Sequence, residues 1–99
     1  MPFYRVQLEG GGIQIPDVEG GAPITGFFTT RAVREASPEL AVERAKALVQ
    51  SEWAKGAYRE ANVGEPPSLA ASEVWRDHLW GYLTFRASGY TFFTNEDGQ

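Results

Sequence analysis

The sequence predicts an α+β domain: an antiparallel sheet of four to five strands with one long helix packed on one face. Segments with strand patterning lie before and after a single strong helical segment, an order that suits strands and helix segregated into two layers. The 99 residues are about the length of one domain and too few for two separate cores. Hydrophobic residues make up 42% and charged residues 22% of the chain, which is enough apolar material for a core and argues against disorder. Residues 1–94 are therefore read as one domain, and the polar stretch 95–99 as a frayed tail.

Residues 3–9 alternate, with Tyr4, Val6 and Leu8 on one face and Arg5, Gln7 and Glu9 on the other, the period of a half-buried strand. Gly10, Gly11 and Gly12 predict a tight reversal, and Ile13–Ile15 a short returning strand that Pro16 ends. Asp17 to Pro23 has the composition of a loop. Residues 24–36 are rich in aromatic and β-branched side chains and predict a long strand. Its adjacent Phe27 and Phe28 point to opposite faces in a regular strand, so both sides of the sheet are apolar there or the strand is bulged.

Ser37-Pro38-Glu39 is a helix start, with a hydroxyl to cap, a proline at the first helical position and an acid at the positive end of the dipole. The helix is predicted to run to Lys55, with Gly56 closing it. Val42, Ala45, Val49 and Trp53, flanked by Ala41 and Leu48, form the packing face. Residues 56–68 read as a connecting loop in which Ala57–Ala61 can add a helical turn. Leu69 to His78 predicts a strand with Leu69, Ala71 and Trp75 on one parity and Val74 on the other. Tyr82–Arg86 and Tyr90–Thr94 predict two short strands joined by a turn at Ala87-Ser88-Gly89.

Composition removes much chemistry. There is no cysteine, hence no disulfide, thiolate ligand or cysteine nucleophile, and the single histidine, His78, cannot supply a multi-histidine site within one protomer. The net charge of −4 opposes nonspecific binding to nucleic acid or acidic membranes. No metal, cofactor, nucleic-acid or membrane partner is expected. No run approaches the length of a membrane span and no signal peptide is evident, so a cytoplasmic protein is expected. Glu9-Gly10-Gly11-Gly12 lacks the Lys-Ser/Thr ending of a phosphate loop, and no serine stands in a nucleophile elbow.

Three residues remain as candidates for holding a small ligand. Thr29 and Arg31 share a strand parity and offer a hydroxyl and a guanidinium to a carboxylate or phosphate, and His78 beside Asp77 offers an acid/base group. A second candidate is an interaction surface of Trp75, Trp80, Tyr82, Phe85, Tyr90 and Phe92, because one helix covers only one face of the sheet.

The segments Tyr4-Arg5-Val6, Gly26-Phe27-Phe28-Thr29-Thr30-Arg31 and Gly89-Tyr90-Thr91-Phe92-Phe93 resemble a family of small bacterial α+β proteins of unknown function. That resemblance implies a fold and no active site. The Pro16-Asp17-Val18-Glu19-Gly20 turn also resembles that of HicB-like antitoxins, which run strand, strand, strand, helix, and this implies an antitoxin-like role as an alternative. The leading expectation is a noncatalytic binding or regulatory domain whose partner is another protein or a second copy. The competing expectation is a small-ligand-binding protein or enzyme with a pocket near Arg31 and His78.

Overall fold

The computed structural model describes residues 1–17, 19–85 and 89–94. Among them the elements run β1 (Phe3–Ile15), β2 (Ile24–Arg34), α1 (Pro38–Trp53), α2 (Gly56–Ala61), β3 (Ser68–Asp77), α3 (Leu79–Thr84) and β4 (Thr91–Thr94). The strands form one antiparallel sheet in the order β3-β1-β2-β4. The chain is thus α+β with a four-stranded sheet, and its described helices number three rather than one. None of them is long and apolar enough to cross a membrane.

Alternation on β1 works as its sequence pattern requires. Tyr4, Val6 and Leu8 are buried on the face that α1 covers, opposite Val33, Arg31 and Thr29 of β2. Ser37 caps α1 by accepting from the Leu40 N–H at 3.2 Å, with Pro38 in the first turn. Ala41, Ala45, Val49 and Trp53 are its buried residues. Their spacing of four makes one stripe, and the two alanines let the helix backbone approach the sheet. Leu40 and Leu48, also on α1, are left exposed.

The three glycines do not reverse the chain. β1 runs through them as a single strand, and Gly10 lies opposite Phe27, whose ring occupies the space a Cβ at Gly10 would need. Gly10 is therefore a flat seat for the most deeply buried aromatic of the core. Gly12, at φ +82°, bends the strand, after which Gln14 and Gly12 accept backbone bonds from Val63 and Glu65 at 2.8 and 3.0 Å. The reversal that glycine composition suggested lies instead at 16–23, where Asp17 accepts from the Glu19 and Gly21 N–H groups.

Four further expectations change. α1 ends at Trp53 rather than Lys55, and Gly56, at φ +74°, opens α2 instead of simply closing α1. Within the expected 56–68 loop, the helical turn allowed at Ala57–Ala61 forms and begins at Gly56, with Tyr58 stacked on Trp53 at a centroid distance of 4.8 Å. The expected 82–86 strand is helix through Thr84, because His78 caps α3 and Tyr82 packs on Phe3. On β3 the register shifts between the partners of Gln7 and Leu8, which leaves Ser72 as an extra residue. Leu69, Ala71 and Val74 consequently share the α1 face and Trp75 takes the other. The turn at Ala87-Ser88 and the tail 95–99 lie outside the described residues.

Candidate functional site

Arg31 and Thr29 project from β2 toward α1, and Arg31 is already occupied. Its Nη1 and Nη2 donate to the two carboxylate oxygens of Glu52 at 2.6 and 3.0 Å, and its Nε donates to the Thr29 hydroxyl at 3.3 Å. Thr29 in turn donates to the Gly89 carbonyl. Tyr90 donates its hydroxyl to the same Glu52 carboxylate and carries its ring beneath the guanidinium. The hydrogen bond from Arg31 holds the Glu52 carboxyl below its ordinary value against the opposing effect of burial. Burial and the bond to Glu52 push the Tyr90 phenol upward, while Arg31 and the neighbouring Trp53 indole act against the rise. Arg31, although burial works against its charge, is raised by Glu52 and Tyr90. This bidentate pair is a clasp between sheet and helix.

His78 is elsewhere. It stands at the end of β3, where its Nδ1 accepts from the Gly81 N–H at 3.0 Å as the cap of α3. Its neighbour Asp77 is held by Arg5, which donates at 2.8 Å. The Asp77 carboxyl is lowered first by the His78 backbone N–H and then by Arg5. Thr29 and Arg31 thus come together while His78 joins a different network, and no described hollow is lined by both Arg31 and His78. Among the described residues no group of three or more acids and histidines is placed to hold a metal.

The six candidate rings divide between the faces. Tyr90 and Phe92 join Phe27, Trp53 and Tyr58 on the α1 side. Trp75, opposite Arg5 on β1, belongs to the other face, as do Tyr82, against Phe3, and Phe85, which Arg5 overlies at 4.5 Å. Trp80 points from α3 into solvent at 69% exposure. One continuous aromatic surface is therefore not formed.

A different surface emerges along β2. β4 pairs only with Ile24 to Phe28, so beyond Phe28 no described strand pairs with the outer side of β2, which Phe85 and Gly89 border at Thr30. The phase of its hydrogen bonds follows from one contact: the Glu35 N–H donates to the Pro2 carbonyl at 3.1 Å. In an antiparallel ladder the bonded pairs alternate, so Val33 and Arg31 bond to β1 while the N–H and C=O of Thr30, Ala32 and Arg34 face outward. Exposed apolar side chains flank this edge. Leu48 reaches it from α1, and Tyr82 and Leu83 from α3, together enclosing shallow hollows of about 430 and 410 Å³ that share Ala32. This strand edge is the surface that counting aromatics missed, and the legible signal for it was the length mismatch between the predicted 24–36 and 90–94 strands.

A further hollow of about 430 Å³ lies at the other end of α1 between Trp53, Pro66 and Pro67, with Arg59 at its rim. Compared with family models, curated proteins and solved structures, the chain matches none of them.

Proposed function

We propose that this chain is a cytoplasmic, noncatalytic binding domain that holds protein by strand addition along the open half of β2. The observation that carries the reading is the row of outward backbone groups at Thr30, Ala32 and Arg34, bordered on one side by Leu48 and on the other by Tyr82 and Leu83. An added strand satisfies the backbone groups, and its alternate side chains meet the two apolar borders in turn. The polar groups that chemistry would require are engaged in structure: Arg31 with Glu52, Asp77 with Arg5, and the His78 Nδ1 with a backbone N–H.

The test is a display selection for extended peptides followed by amide mapping of the complex. Bound peptide is expected to protect the Ala32 and Arg34 amides from exchange, and Ala32→Pro to abolish binding. Proline removes an N–H that points away from β1, so the ladder with β1 survives. Peptides that bind without altering those amides would overturn the reading.

A further inference from the structure

The charges along the open edge of β2 are arranged in a pattern that is its own complement. Two ion pairs join the strand to α1. Arg31 pairs with Glu52 at 2.6 Å, and, just past the strand's end, Glu35 pairs with Arg44 at 3.0 Å. Arginine is on the strand in the first pair and on the helix in the second. Leu48 lies midway on α1 between Arg44 and Glu52, one turn from each, and Val33 lies midway on the strand between Arg31 and Glu35.

We infer that the occupant of this edge is a second copy of the chain, joined about a two-fold axis that passes between the two Val33 residues; the inference rests on the strand-addition reading above. Antiparallel pairing about an axis normal to the sheet keeps each face on its own side, so the α1 face of one copy continues into that of the other. Val33 then stands opposite Val33 of the partner copy, Arg31 opposite Glu35, and Ala32 opposite Arg34. Because Ala32 and Arg34 are the residues whose backbone groups point outward, their opposition makes bonded pairs. The alanine methyl leaves room for the facing arginine, which forms no ion pair among the described residues.

On the covered face the two α1 helices run antiparallel, with Leu48 against Leu48 and Arg44 of each copy toward Glu52 of the other. On this covered face each protomer contributes two arginines and two glutamates, whose charges balance although the chain carries −4; Arg34 adds one positive charge on the other face. The pairing draws on Thr30 to Ala36, beyond the last β2 residue that β4 reaches, and it joins two four-stranded sheets into one continuous sheet. No other occupant has this match built into the chain: a peptide would need both charges supplied in register, whereas a second copy supplies them by symmetry.

Sedimentation velocity from about 1 µM to about 1 mM tests the inference. Wild type is expected to pass from monomer to dimer in that range, and Ala32→Pro, with an unchanged circular dichroism spectrum, to dimerise about 100-fold more weakly or not at all. The double variant Glu35→Arg with Arg44→Glu keeps its own internal pair and opposes like charges across the seam, so it is expected to stay monomeric. Mixing it with Arg31→Glu, Glu52→Arg is expected to restore a one-to-one dimer, since every facing pair is then opposite in sign. A wild type that remains monomeric throughout, or a dimer that persists in folded Ala32→Pro, overturns the inference. A monomer whose Ala32 and Arg34 amides are protected by selected peptides overturns it while leaving the strand-addition reading intact; a dimer that forms through other residues, with no peptide at this edge, sinks both.

Discussion

On β3 the outermost strand is interrupted at Ser72, whose hydroxyl donates to the Gln7 carbonyl at 3.2 Å, and the exposed residues after it include Glu73 and Arg76. On the open half of β2 the ladder with β1 runs without a register shift from Phe3/Arg34 to Gly11/Gly26, and the borders are Leu48 on one side and Tyr82 and Leu83 on the other. A bulge twists an edge and a charge penalises pairing, so β3 carries two devices that keep other strands away. The open half of β2 carries no bulge; its own exposed charge, Arg34, faces away from α1, and its two flanking arginine–glutamate pairs balance. The contrast teaches that exposure of a strand edge is not by itself an invitation. What distinguishes the β2 border is regular backbone phase together with apolar flanks.

The largest effect is expected where both borders depend on the same anchor. Ala45 is fully buried in the contact of α1 with the sheet, and Ala45→Glu places an unpaired carboxylate there. A loss of about 4 kcal/mol or more is expected, read as a lower midpoint in denaturant unfolding. An unchanged midpoint and slope would mean that α1 does not fix the helix-side wall of the β2 edge, and the comparison of borders would lose its structural basis.

The next prediction converts one border into the other. Deleting Ser72 removes the extra residue between Ala71, which pairs with Leu8, and Glu73, which pairs with Gln7, so β3 becomes regular without any change in which residues face α1. The variant is expected to fold, with the same far-ultraviolet spectrum, and to aggregate about tenfold faster or more than wild type in light scattering. Unaltered solubility would show that Glu73 and its neighbours protect β3 without help from the bulge.

How far the two borders were legible in sequence depended on whether the signal was local. The cap at Ser37, the α1 positions Ala45, Val49 and Trp53 and the divergence of Phe27 from Phe28 are written in spacing alone, and each appears as expected, whereas Ala41, expected only as a flank, is buried in place of Val42 and Leu48 is exposed. Gly10 misled because a glycine that turns the chain and a glycine that seats a ring across a strand pair look alike in sequence; only the Phe27 opposite decides. The β3 bulge was invisible for a related reason, since one extra residue matters only against a partner strand. Tyr82 has β propensity, yet capping by His78 and the ring of Phe3 hold it in a helix, a case of tertiary contacts overriding intrinsic preference. Arg31 was singled out as a ligand candidate sharing a parity with Thr29; in the fold it binds Glu52, which stands 21 positions away, and no sequence spacing joins them.

The smallest expected effect concerns the clasp at the end of the β2 border, and its sign follows from protonation. Glu52 titrates below its ordinary 4.5 in the folded chain, chiefly through the hydrogen bond from Arg31. A lowered carboxylate contributes stability above its unfolded value, and that contribution disappears as pH falls through the folded one. Its side chain is 40% exposed, so Glu52→Gln is expected to cost only about 1 kcal/mol or less near neutrality once solvent screening is allowed for. The gap between wild type and variant should narrow progressively as pH falls below 4.5. Tyr90 provides the opposite limb: its phenol is raised above 10.0 by burial and by Glu52, so its contribution is complete below pH 10 and is lost as pH climbs beyond it. Tyr90→Phe should therefore flatten the alkaline side of the stability profile and, because its hydroxyl also helps to lower Glu52, make the acid side shallower while leaving the larger contribution of Arg31 there. Urea midpoints from pH 3 to 11, measured in the Ala32→Pro background so that association does not enter, separate the two limbs, and a Glu52→Gln profile parallel to wild type at every pH would show that the clasp does not hold this end of the β2 border.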